Sequence, residues 1–247
     1  MQEDYYVGAY WGPRKETALE CAQRAELFFH MLARCDPSFA QWYRAGRGFP
    51  REMPGWPVRP EVKELEEFFL KGRHRTGVSK KAIEDMGFRQ MLWNAKKEAT
   101  NIHLSCGKYS PWGGPNVCLL YPSKEIPVRE RLLRAPVLAE VLTSMATAWD
   151  PDFAVATSHE MRHLVKKEGR EVDVGWLTYL SRRLGTLPPL PTPVRIEPVG
   201  ALGWLLALSP DPMTASNPEH VAFTARVREL LDRAGLIERP EPEPASE

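Results

Sequence analysis

The chain has 247 residues, of which 43% are hydrophobic, 26% charged and 10% aromatic, an ordinary globular composition. Its 33 Lys and Arg against 32 Asp and Glu leave a net charge of +1. That balance argues against a strongly basic nucleic-acid binder and against an acidic DNA mimic. No apolar run approaches the roughly 18 residues of a membrane helix. The longest, Val199–Leu208, is interrupted by Gly200 and Gly203. The N-terminus MQEDYYVGAYWGPR has neither a basic n-region nor an apolar h-region, so a cytoplasmic product without a signal peptide is expected. Cys21, Cys35, Cys106 and Cys118 form no C-x-x-C pair and read as reduced, mostly buried thiols.

Tyr5–Trp11 is rich in β-formers and predicts a strand. Gly12-Pro13 ends it and opens a helix to about Arg34, with Pro13 suited to the first turn. Ala18, Ala22, Ala25, Phe29 and Leu32 share one face of that helix. Asp36-Pro37 stops it, because a residue before proline is pushed out of helical geometry. Arg47–Pro60, with four prolines and two glycines, reads as a loop or insertion. Pro60–Leu70 predicts a short helix that buries Val62, Leu65, Phe68 and Phe69. Phe88–Asn94 and Thr100–Cys106 predict two strands joined by a turn at Ala95–Glu98. Val117–Tyr121 predicts another strand after the loop KYSPWGGPN.

Arg129–Trp149 predicts a second amphipathic helix, also closed by Asp-Pro. Phe153–Thr157 reads as a strand and Trp176–Arg183 as a short helix. Val194–Val199 and Trp204–Ser209 predict a hairpin around Gly200 and Gly203. Asn217-Pro218 should cap a last helix that ends at Gly235. The tail from Glu238 has a disordered composition.

The two stops, CDPSFA at Cys35–Ala40 and WDPDFA at Trp149–Ala154, share Asp-Pro-x-Phe-Ala. Each follows a strand and a long helix and precedes a short helix and a hairpin. The expected fold is therefore α+β, with antiparallel sheets and helices on one face. It is read as a single domain over 1–237, made of two degenerate β-α-α-β-β halves (about 1–110 and 111–237), with 238–247 as a tail.

His159-Glu160-Met161-Arg162-His163 matches H-E-x-x-H, which on a helix presents two zinc ligands and a general base. Arg162 would set a cation between the ligands, the approach is strand-like and no third ligand follows. A surface histidine pair on a strand end or short turn is the expected state, with zinc hydrolysis as the alternative. Between Lys71 and Lys108, nine Lys and Arg face three acids. This stretch reads as basic solvated turns, with a nucleic-acid-binding accessory role as the competing reading. No catalytic residue, metal or cofactor is assigned. Trp42, just after the first stop, reads as core. Trp56 and Trp112 sit in Pro- and Gly-containing loops, and Arg51 and Arg59 flank Trp56. These four are the candidate partner contacts, because tryptophan and arginine commonly anchor interfaces.

The string YYVGAYWGPRKETALECAQR, with CDPSFAQWY, PNVCLLYP and WDPDFAVATSHEMR, resembles the immunity protein 52 family of bacterial polymorphic-toxin systems. The resemblance covers most of the chain from Tyr5 to about Leu208. It implies a cytoplasmic antitoxin without enzymatic activity. Its partner would be a cognate toxin, a restriction-endonuclease-like DNase effector of the kind delivered by type VI secretion, neutralised by steric occlusion. It implies no membrane and no specific nucleic-acid partner; a homodimer is left open.

Overall fold

A computed structural model describes residues 3–44, 55–77, 81–94, 99–110, 112–166 and 172–238. Arg51, the Ala95–Glu98 turn and the tail from residue 239 lie outside the described residues. The fold is α+β. Its strands are β1 (Tyr5–Trp11), β2 (Trp42–Arg44), β3 (Trp56–Val58), β4 (Phe88–Trp93), β5 (Asn101–Cys106), β6 (Asn116–Tyr121), β7 (Phe153–Ser158), β8 (Leu177–Ser181), β9 (Arg195–Val199) and β10 (Gly203–Ala207). Its helices are α1 (Ala18–Cys35), α2 (Val62–Lys71), α3 (Ile126–Leu132), α4 (Ala135–Trp149), α5 (His159–Val165) and α6 (Pro218–Arg233). Hydrogen-bonded neighbours run β3-β2-β4-β5-β6 in one part of the chain and β7-β8-β10-β9 in the other. The chain divides into two compact units, one of residues 1–9 and 130–241, the other of residues 10–129 and 242–247.

In the unit of residues 10–129, α1 begins five residues later than Pro13 suggests. Thr17 caps it, accepting from the Glu20 N–H at 3.2 Å, while Glu20 accepts from the Thr17 N–H at 2.7 Å. This reciprocal capping box satisfies two orphan donors, which a start at Pro13 would not. Hydrogen bonds from the Thr17 N–H and hydroxyl hold the Glu20 carboxyl below its ordinary pKa. The helix buries Ala18, Cys21, Ala22, Ala25, Phe28, Phe29 and Leu32. Asp36 is extended and accepts from the Ser38 N–H at 2.9 Å, starting a 3-10 turn over Pro37–Phe39. Trp42 is core, as its position suggests: its ring lies 6.1 Å from that of Phe39 and its Nε1 donates to the Phe39 carbonyl at 2.9 Å.

The helix α2 buries Leu65, Phe68 and Phe69 but leaves Val62 half-buried. It meets β4 through Phe69 and Phe88, whose rings are 6.0 Å apart. Phe88 and Leu92 face inward on β4, as do Ile102, Leu104 and Cys106 on β5 and Cys118 and Leu120 on β6. Burial pushes the Cys106 thiol pKa up, with Cys21 of α1 beside it. These contacts put α1 and α2 over the inward side of the sheet. The strand β3 is a correction to the loop reading of Arg47–Pro60. It pairs with β2 through Trp42↔Val58 and Arg44↔Trp56, and it lies at the end of the strand order. Such an edge position tolerates Pro57, because no further strand needs its missing N–H.

In the unit of residues 1–9 and 130–241, three further readings change. The single helix expected over Arg129–Trp149 is broken into α3 and α4, because Pro136 sits at the start of α4 and must lie in a first turn. The segment Trp176–Arg183 is not a helix: Leu177–Ser181 is the strand β8, buried at every position and antiparallel to both β7 and β10. A strand covered on both faces loses its alternation, and a five-residue apolar run then mimics a helix turn. Finally, His159–Val165 is the short helix α5, capped by Ser158, whose hydroxyl accepts from the Met161 N–H at 3.1 Å. The hairpin β9–β10 pairs as expected. So does the Asn217 cap of α6, which accepts from the Glu219 N–H at 2.9 Å, and Gly235 adopts the left-handed φ of 74° beyond the helix end.

Candidate partner-binding site

The loop between β5 and β6 is built from its ends inward. Gly107 turns the chain out of β5 at φ 69°, where a Cβ would fall 2.9 Å from the Glu16 carbonyl oxygen. Asn116, fully buried, accepts from the Lys108 N–H at 2.9 Å and donates from Nδ2 to the carbonyls of Gly12 and Lys108 at 2.7 and 3.0 Å. The N–H groups of Tyr109 and Ser110 both donate to the Asp85 carbonyl at 3.0 Å. Lys108, itself buried, reaches back with Nζ to the Gly113 carbonyl at 3.1 Å. Burial lowers the Lys108 pKa, and the nearby Arg89 charge lowers it further.

From this fixed frame Trp112 projects with 93% of its surface exposed. An apolar ring held in water on a pinned loop leaves little backbone freedom for binding to remove. The Asn116→Ala variant should lose about 2 kcal/mol of stability, because it removes the side-chain acceptor of the Lys108 N–H and the amide's hydrogen bonds to the Gly12 and Lys108 carbonyls. Chemical denaturation checks the loss.

Trp56 is the second exposed tryptophan, at 54%. It lies on β3, with the Arg44 guanidinium 5.4 Å from its ring centroid. Arg59 is exposed, and its N–H donates to Glu64 Oε1 at 3.1 Å. Beside β3 lies a cleft of about 350 Å³ with Arg44, Val58, Lys63, Phe68 and Lys71 in its wall, together with Glu61, Glu64 and Glu67. A second cleft of about 440 Å³ shares Arg44, Phe68 and Lys71 with it and adds Arg89, Gln90, Met91 and Trp93. The structure thus supports exposure for Trp56, Trp112 and Arg59.

It also adds Arg44, which sequence reasoning missed. The available signal was the β2–β3 pairing that sets Arg44 opposite Trp56, and three-residue strands leave too little alternation to reveal it. Lys71 and Arg89, read as part of a solvated basic stretch, come to one cleft.

The H-E-x-x-H string is helical, not a strand end, yet its side chains are engaged elsewhere. Glu160 Oε2 accepts from the Asp4 N–H at 3.2 Å, the His159 ring stacks on Tyr6 at 4.7 Å, and Arg162 pairs with buried Asp173 at 2.9 Å. Among the described residues, no group of three or more His, Cys, Asp and Glu is placed to hold a metal ion. The purified protein should contain no stoichiometric zinc by elemental analysis. Near-equimolar zinc that disappears in His163→Ala would restore the hydrolase reading. No helix among the described residues is long and apolar enough to cross a membrane.

A model of the family described as Immunity protein 52 matches residues 3–240. Among solved structures, the fold is similar to that of the Pseudomonas aeruginosa T6SS protein PA0821, with a TM-score of 0.50 and 11% sequence identity. That match covers 92% of this chain and 72% of the other. At this identity the likeness is one of fold. No protein of curated function gives a significant match.

Proposed function

Because the chain belongs to the immunity protein 52 family, we propose that it is the antidote to a toxin encoded beside it. Immunity proteins act by binding rather than by catalysis, so no reaction is assigned to this chain. The toxin is a nuclease of the restriction-endonuclease-like class, delivered by type VI secretion, and the antidote meets it in the cytoplasm. Inhibition is steric: the bound antidote covers the toxin's active site or its DNA-binding face. The near-zero net charge argues against whole-surface mimicry of phosphate, leaving local shape and anchors to supply affinity.

The observation that carries the reading, beside the family, is the almost fully exposed Trp112 on a loop fixed at both ends. Trp56, Arg59 and Arg51 complete the proposed contacts, the arginines facing carboxylates of a metal-dependent nuclease site.

The test is co-expression with the toxin of the neighbouring reading frame. The antidote should rescue growth and co-purify with the toxin at fixed stoichiometry. If that toxin kills regardless and no complex forms, the reading fails. The isolated protein should also show no specific DNA complex at about 0.15 M salt, since any weak binding by the Lys71–Lys108 stretch falls steeply with ionic strength. A retained sub-micromolar complex in a gel-shift titration would instead support the nucleic-acid-binding role.

A further inference from the structure

The outer edge of β4 is closed at two points. Tyr43 of β2 pairs with Trp93, and Arg73 bridges Phe88 while the Arg89 N–H donates to the Gly72 carbonyl at 3.0 Å. Between them, the outer side of Gln90–Leu92 has no strand partner among the described residues. The 440 Å³ cleft opens at this notch. Alternation along β4 puts Arg89, Met91 and Trp93 on one face, away from the α2 side that takes Phe88. The Gln90 amide donates to the Phe68 carbonyl, tying the floor of the notch to α2.

The charge in the notch has one sign. Arg44, Lys71 and Arg89 line it, and no carboxylate does. Lys71 lies 3.7 Å from Glu67, with both side chains about 60% exposed, and an exposed helical pair of that kind is weak; Glu61, Glu64 and Glu67 line the neighbouring cleft, which shares Arg44 and Lys71. His103, opposite Met91 on β5, has its pKa lowered by burial and then by the Arg89 charge. His74 is likewise lowered by burial and by Lys108 and Arg89. Arg89 thus stands among other basic groups. The walls are apolar, from Phe68, Met91 and Trp93. Three cations over an apolar slot suit a ligand with an apolar body and a carboxylate head.

We propose that this notch seats an acidic segment of the toxin. One carboxylate lies among Arg44, Lys71 and Arg89, and an adjoining apolar side chain lies against Phe68, Met91 and Trp93. The inference rests on the antidote reading above and names the chemistry of the segment bound. Arg44, which also carries Trp56, joins the notch to the exposed edge strand.

Two arms test it. In the first, the toxin from the neighbouring reading frame is titrated against the wild type, Arg89→Glu, Lys71→Glu and, as a control on β9 of the other unit, Arg195→Glu, with folding checked by near-ultraviolet circular dichroism. Arg89→Glu and Lys71→Glu should each weaken binding at least about 30-fold, and Arg195→Glu should not. Wild-type affinity in both notch variants overturns the inference and leaves the antidote reading standing.

In the second arm, the ¹³C-methyl signal of Met91 is followed against a capped acidic–aromatic pentapeptide, its lysine-for-acid counterpart and a short deoxythymidine oligonucleotide. Only the acidic peptide should shift Met91, and Arg89→Glu should abolish the shift. No shift, equal shifts with both peptides, or a stronger response to the oligonucleotide overturns the inference. Should the wild type bind no toxin, the antidote reading falls and the peptide arm alone decides the chemistry of the notch.

Discussion

Phe153→Ala should lower the free energy of unfolding by about 3–5 kcal/mol, and Phe39→Ala by a similar amount. Phe153 is fully buried at the start of β7, opposite Leu180 of β8, in a strand with no exposed position. Deleting its ring removes the transfer term and leaves a cavity that a two-sided strand cannot collapse into. Phe39 is 1% exposed and stacked on Trp42, whose own Nε1 hydrogen bond goes to the Phe39 carbonyl. Its loss would loosen the turn between α1 and β2 as well as the core. Urea unfolding followed by circular dichroism measures both, and a loss below about 1 kcal/mol would show that the site repacks.

The two stops share their buried Phe but not their backbone. Asp36 is extended and caps Ser38, whereas Asp150 is left-handed at φ 45° and is held by Arg183 at 2.7 Å. We propose the shared Asp-Pro-x-Phe-Ala strings as the trace of a duplication. Superposing β1–α1 on β6–α4 is its test.

What was legible in the sequence follows from where period and punctuation coincide. On β6, and on β5 as far as Leu104, one face is buried and the other half-exposed, so Ile102 and Leu104 alternate visibly with their neighbours. The hairpin around Gly200 and Gly203 and the Asn217 cap carry their own local chemistry. The strand β8 was hidden because it is covered on both faces. The strand β3 was hidden because Pro57 reads as a loop residue unless the strand is known to lie at an edge. The break between α3 and α4 hinged on whether Pro136 sits inside a helix or opens one.

The candidate site was legible in part for a related reason. A tryptophan among prolines and glycines announces exposure, so Trp56 and Trp112 could be named. The notch depends on pairing across β2, α2 and β4, which no local pattern specifies, so Arg44, Lys71 and Arg89 could not be brought together beforehand.

Trp112→Ala should weaken the toxin complex by about 2–4 kcal/mol, the range of an interface hot spot, while leaving the fold unchanged. The fold should be indifferent because the ring touches water over 93% of its surface, so its removal opens no cavity. The loop keeps its shape through Asn116, Lys108 and the Asp85 carbonyl, none of which involves the indole. The complex should not be indifferent. Covering a whole indole removes a large apolar area from water at roughly 25 cal/mol per Å², and the frame has already met most of the ordering cost.

Trp56→Ala should weaken binding by more than about 1 kcal/mol but by less than Trp112→Ala, because half of that ring is already covered and Arg44 occupies one face. Calorimetric titration of the purified toxin against both variants, beside thermal unfolding of each, separates affinity from stability. Wild-type affinity and full protection in both variants would place the interface away from the two tryptophans. A variant that loses stability along with affinity would instead assign its ring a structural role.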